Sequence, residues 1–117
     1  MNKLTLSCLI AVAGIGLGAF GAHGLKDQLL ANGTTEVWNK AVLYHLIHAV
    51  VLFVAANSSG TLNSKWAFRL WSVGILLFSG SLYILALSKW SLLGPITPLG
   101  GLAFIAGWIC LIFENKK

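Results

Sequence analysis

Three histidines and two tyrosines lie in or beside long apolar runs of a chain that has only three carboxylates. The segment "VLYHLIHAV", residues Val42 to Val50, holds Tyr44, His45 and His48. On a helix, spacings of three and four bring these residues onto one face. "GAFGAHGL" supplies His23, "FSGSLY" supplies Ser79, Ser81 and Tyr83, and Thr97 sits between Pro95 and Pro98. Ser79 and Tyr83 are again four apart. Imidazoles and hydroxyls in this pattern suit four kinds of chemistry: hydrogen bonding between helices, a proton or ion path, a metal or haem site, and nucleophilic catalysis.

The surrounding residues weigh differently on each. Interhelical hydrogen bonding needs nothing more than these side chains and freed carbonyls. A proton path would want carboxylates, yet Asp27, Glu36 and Glu114 all fall outside the apolar runs. A haem could take two imidazoles as axial ligands. A thiol-rich metal site is not offered, because Cys8 and Cys110 are isolated and lie at the opposite ends of their runs from the histidines. Each cysteine reads as a small apolar filler. Thioether copper chemistry has only Met1 to draw on. Ser79 and His48 can be drawn as nucleophile and base, but "FSGSLY" lacks the strand-turn-helix setting of a nucleophile elbow. The expectation is a protein that is not an enzyme and carries no metal or other cofactor.

What must position these groups is set by composition. Of 117 residues, 57% are hydrophobic and 9% charged, with mean hydropathy +0.84. A soluble domain of this length could not hide so much apolar surface, whereas a bilayer removes the need. The net charge of +5 comes from eight Lys and Arg scattered at the edges of apolar runs, which suits membrane flanks and forms no nucleic-acid stripe.

Four runs approach the roughly 20 residues needed to cross a bilayer as a helix: 4–25, 38–56, 66–87 and 94–113. Lys3 and the small residues from Ala19 to Ala22 give the first run the look of a signal peptide, but it exceeds the usual h-region of about 7 to 15 residues. The fold class predicted is all-α: one domain of four transmembrane helices, an up-down-up-down bundle with short loops. In the first loop "LKDQLLANG" predicts a short interfacial helix, with Leu25, Leu29 and Leu30 facing lipid and Asn32-Gly33 ending it. Thr34 or Thr35 would cap the second span, with Glu36 near its positive end. Trp38, Trp66, Trp71 and Trp90 lie near span ends, as interfacial anchors do. Gly14, Gly18 and Ala22 form a small-residue ridge for close helix packing, which also leaves a homo-oligomer open.

The topology then gathers the polar groups. At about 1.5 Å per residue, His45 lies roughly 10 Å and His48 roughly 15 Å below Trp38. His23 ends span one, Ser79, Ser81 and Tyr83 occupy the same half of span three, and Thr97 opens span four. Lys3, Lys65, Arg69, Lys116 and Lys117 on one side against Lys26, Lys40 and Lys89 on the other favour both termini inside, with the polar layer in the outer half.

The blocks "GAFGAHGL", "W" followed by "AVLYHLIHA", "LFSGSLYILALS" and "ITPLGGLAFIAGW" resemble, in order, the domain-of-unknown-function 423 family, which takes in YgdD-like and transmembrane protein 256-like small membrane proteins. The resemblance covers nearly the whole chain. It implies a multi-pass protein of the bacterial plasma membrane and brings no established activity. His23, Trp38, Tyr44, His48, Ser79, Gly80, Ser81, Tyr83, Thr97, Pro98, Gly100, Gly101 and Trp108 match its blocks, whereas His45 falls where a relative carries glutamine and stays outside the set. The functional expectation is a binding or transport-like component for a small molecule or ion, with a pocket lined by His23, Tyr44, His48, Ser79, Ser81, Tyr83 and Thr97. The alternatives are a structural or assembly factor whose polar residues lock the helices, and a haem- or metal-binding membrane protein.

Overall fold

A computed structural model describes residues 2–57 and 62–114, and among these it has helices and turns but no strand. Met1, Lys116 and Lys117, part of the motif and orientation arguments, lie outside the described residues. The helices are α1 (Lys3–Ala22), α2 (Lys26–Asn32), α3 (Thr35–Ala56), α4 (Leu62–Gly74), α5 (Gly80–Ser88) and α6 (Ile96–Glu114). A π-helical turn, Ile75–Ser79, joins α4 to α5 without a break, and a 3₁₀ turn, Ser91–Leu93, precedes α6. The four spans are Lys3–Ala22, Thr35–Ala56, Lys65–Ser88 and Ser91–Phe113. With 20 to 24 residues each, the spans reach about 30 to 36 Å at 1.5 Å per residue, enough for a hydrocarbon core.

Large apolar side chains face outward on every span, among them Val12, Val50, Leu76 and Leu102. Water would not tolerate this belt, and lipid requires it. Inside, Leu52, Phe68, Trp71, Ile75 and Phe104 form one core cluster, and Leu29, Trp38 and Ala86 form a second at the other end.

The spans pack in chain order. α1 lies on α3, α3 on the third span, and α6 on α4 and the π turn. Among the described residues no Cα of α1 comes within 8 Å of the third or fourth span, and none of α3 within 8 Å of α6. Glycines set the close crossings. A Cβ on Gly14 would stand 2.7 Å from the Leu46 side chain, one on Gly18 would press Val42, and one on Gly21 would overlap the Trp38 indole. The small-residue ridge is therefore used within the chain, by Gly14, Gly18 and Gly21, while Ala22 is exposed. On the far side, Gly100 meets the backbone of Phe78, and Gly107 meets the Trp71 indole.

Several expectations change here. α2 ends at Gly33 in the left-handed region, φ 69°, as its sequence predicts. Yet Leu29 is buried against the protein, Leu25 is half-buried, and of the three leucines only Leu30 is exposed. The reason is a docking bond: Asn32 Nδ2 and Thr34 Oγ1 both donate to Ala86 O, at 3.1 and 2.7 Å, covering carbonyls that the end of α5 leaves open. Thr34 thus caps the third span and gives no side-chain cap to α3, whose first turn does carry Glu36. The Thr35 hydroxyl is buried with no hydrogen-bond partner among the described residues. Trp66 and Trp90 are exposed as anchors should be, but Trp38 and Trp71 are at most 1% exposed. Glycines opposite admit their rings, and their N–H groups donate to Leu17 O and Phe104 O. Cys8 is exposed and so fills no interior space.

Candidate functional site

α3 is an inner helix of the row, with α1 on one side and the third span on the other, and its two histidines turn to different neighbours. Successive residues advance about 100° around a helix, so positions three apart differ by roughly 60° and positions four apart by roughly 40°. Tyr44 and His48 accordingly face α6, whereas His45 faces α1 and α5. Both imidazoles are 5% exposed, so neither meets hydrocarbon broadly.

The hydrogen bonds of His45 fix its tautomer. Nε2 lies 2.8 Å from Ile10 O, and a carbonyl can only accept, so Nε2 carries the proton. Nδ1 then accepts from the Tyr83 hydroxyl at 2.8 Å. One ring thereby ties α1, α3 and α5 together. Tyr83 packs on Trp38, with centroids 4.8 Å apart, and one turn earlier Ser79 Oγ donates to Ala41 O at 2.7 Å. His45, left out of the matched block positions, is the residue that this polar layer centres on. Its chief partner, Ile10 O, is a backbone atom that no side-chain motif could announce.

A double-mutant cycle tests this bond. We expect His45→Leu and Tyr83→Phe to be non-additive in equilibrium unfolding in detergent, with a coupling energy of about 0.6 to 2 kcal/mol. Strict additivity would dismiss the contact.

His48 has the opposite tautomer. Nδ1 donates to Tyr44 O at 2.9 Å, which leaves the Nε2 lone pair to accept the Trp108 Nε1–H at 3.4 Å. That second bond is long for an N–H donor. The His48 ring stacks on Phe104 at 3.8 Å, with the planes 9° apart. Tyr44 is nearly parallel to both but 6.4 and 6.3 Å away, and equal distances place it beside the stacked pair, not above it. Because the α3 and α6 backbones stay apart, these rings span a gap only partly filled. What remains is a half-open cleft of about 350 Å³, walled by Tyr44, His48, Phe78, Phe104, Ile105 and Trp108, with Gly101 between them.

The other predicted site residues lie elsewhere. Ser81 Oγ and Thr97 Oγ1 bond each other at 2.7 Å, joining α5 to the first turn of α6. His23 is exposed at the C-cap of α1, beside a shallow surface hollow with Phe20 and Gly24. The structure therefore brings together His45, Tyr83 and Ser79 along one side of α3, and Tyr44 with His48 along the other. Ser81 with Thr97 makes a third pair, and His23 joins none of them. Trp108, which completes the cleft, was legible only as a matched block position.

These features define a polytopic helical membrane protein whose buried polar side chains bond one another and backbone carbonyls. The chain belongs to the family described as protein of unknown function DUF423, which it matches over residues 17–101. It is 47% identical over 116 residues to a UPF0382 membrane protein of Staphylococcus haemolyticus, covering 97% of this chain and 94% of that one. It is 46% identical over 118 residues to the UPF0382 membrane protein YwdK of Bacillus subtilis, covering 97% and 95%. A Staphylococcus saprophyticus relative with the same description is 45% identical, at 97% and 96%. No solved structure matches the chain.

Proposed function

We propose that this chain is a binding protein of the plasma membrane that holds an apolar, membrane-partitioned small molecule in the cleft between α3 and α6. One observation carries the reading: the cleft beside His48 is aromatic-walled, about 350 Å³, and half open. That volume is at the lower end of the range for ligand pockets, and an apolar wall with one or two aimed polar atoms is their usual make-up. Both termini face the cytoplasm in this reading, on the distribution of Lys and Arg, and the cleft then lies about the bilayer midplane, with Tyr44 toward its outer side and Trp108 toward its inner side.

The proposal is one of binding and not of catalysis. Ser79 donates its hydroxyl to a backbone carbonyl and meets no histidine that could serve as its base. A haem or metal is a poor fit to the same residues. Each ring nitrogen of His45 and His48 already has a partner, so coordination would have to displace an existing bond. A purely structural role is the second reading, favoured by the closed bonding around His45.

Filling the cleft separates the two. Gly101 borders it, and a Cβ there would stand 3.9 Å from Phe78, an ordinary contact, so a longer side chain can enter the cleft without forcing the helices apart. We expect solvent extracts of the purified wild-type protein to hold about one apolar small molecule per chain. Gly101→Leu should carry at least about tenfold less while keeping its unfolding midpoint, since the molecule's gain is limited to burial of roughly 25 cal/mol per Å². Equal loading of the two proteins in mass spectrometry would remove the reading.

A further inference from the structure

We infer that the cleft selects an alcohol: an apolar molecule with one neutral hydroxyl, seated between the Trp108 indole and the His48 imidazole. This rests on the cleft being a ligand seat, and adds what distinguishes its occupant. The two polar atoms that face each other there are unlike. Trp108 Nε1–H can only donate, and His48 Nε2 can only accept, because Nδ1 holds the ring's proton against Tyr44 O at 2.9 Å. Their separation is 3.4 Å, beyond the usual length for such a bond.

An oxygen about 2.8 Å from each nitrogen closes a triangle on that 3.4 Å base, each new bond lying about 50° off the line between the nitrogens, so both rings must turn toward the cleft to make it. A hydroxyl there does both tasks at once, accepting from the indole and donating to the imidazole. A ketone oxygen would accept from Trp108 and leave Nε2 without a donor, and an unpaired buried acceptor is costly. A hydrocarbon would use neither group. An anionic headgroup finds no support, since the cleft is lined by four aromatic rings of Tyr, Phe and Trp, the neutral His48, Ile105 and Gly101, none carrying formal charge. At about 30 Å³ per small heavy group, the cleft has room for on the order of ten heavy atoms. That suits one end of a fatty or isoprenoid alcohol.

The test uses the unaltered protein in lipid nanodiscs, with labelled indole, imidazole and Ile105 methyl signals, titrated with 1-decanol, 2-decanone and decane. The Trp108 indole signal is assigned by its loss in Trp108→Phe. The expected result is that 1-decanol moves the Trp108 N–H and His48 Nε2 signals saturably, 2-decanone moves Trp108 alone, and decane moves only the Ile105 methyl. Decanol should bind about tenfold more tightly than decane, the order that one or two intramembrane hydrogen bonds supply, and that preference should vanish only when both groups are removed, in the double variant Trp108→Phe with His48→Phe. If all three probes saturate the Ile105 signal with equal affinity and neither nitrogen responds, the alcohol inference is overturned while the cleft remains a ligand seat. If none saturates any signal, the ligand seat itself is lost and the inference with it.

Discussion

Gly100→Ala is expected to lower the stability of the folded chain by about 3 kcal/mol, near the top of the range for overpacking. A Cβ at this position would overlap the Phe78 backbone nitrogen and stand 2.7 Å from its Cα. A flexible side chain could swing aside, but a backbone cannot, and this one belongs to the π turn in the middle of the third span. The helices would have to part by an ångström or more. Parting them disturbs what the crossing holds: Ser81 bonds Thr97 one turn before Gly100, and Phe104 stacks on His48 one turn after it. The control is the next residue. Gly101→Ala places its Cβ 3.9 Å from Phe78 and should change stability by well under 1 kcal/mol, as should Gly16→Ala, which meets nothing within 4 Å. Unfolding midpoints in detergent, followed by tryptophan fluorescence, check all three. Equal midpoints for Gly100→Ala and Gly101→Ala would mean that α6 does not approach the π turn as described.

The contrast between those neighbouring glycines shows what a sequence can carry. "PLGG" announces close packing without saying which glycine faces the partner, because that depends on the rotation of α6 about its axis. Span number and approximate bounds follow from hydropathy, which is a sum over some twenty residues and tolerates local error. Partners are a different kind of fact. His45, Trp38, Trp71, Ser79 and Thr34 all bond backbone carbonyls, and every residue has one. The shared face assigned to His45 and His48 failed for a related reason. A difference of about 60° is small on an isolated helix, but α3 has neighbours on both sides, and that angle decides which of them a side chain meets. The π turn adds an offset within the third span that no spacing rule anticipates. Tyr44 with His48, four apart, and Ser79 with Tyr83, also four apart, did keep common sides.

Trp38→Ala should cost about 3 to 5 kcal/mol, as truncating a fully buried large aromatic does, against well under 1 kcal/mol for an exposed interfacial tryptophan such as Trp90. Its position near the start of the second span invites the anchor reading, and the two readings differ in this measurement. The indole is 1% exposed, fills the space that Gly21 leaves on α1, and donates to Leu17 O at 2.9 Å. It also packs at a tilt against Tyr83, whose hydroxyl holds His45, and clusters with Leu29 of α2. Removing it therefore loosens α1, α2 and α5 from α3 together. Trp38→Phe separates the contributions, since it keeps most of the buried area and loses the N–H; about 1 kcal/mol is expected there. Amide exchange should show the same order, with the α2 amides near Leu29 exchanging faster in Trp38→Ala than in Trp38→Phe, because α2 rests on the ring and not on its hydrogen bond. If Trp38→Ala and Trp90→Ala destabilise equally, then Trp38 is an anchor after all, and the packing of α1 and α2 onto α3 needs another cause.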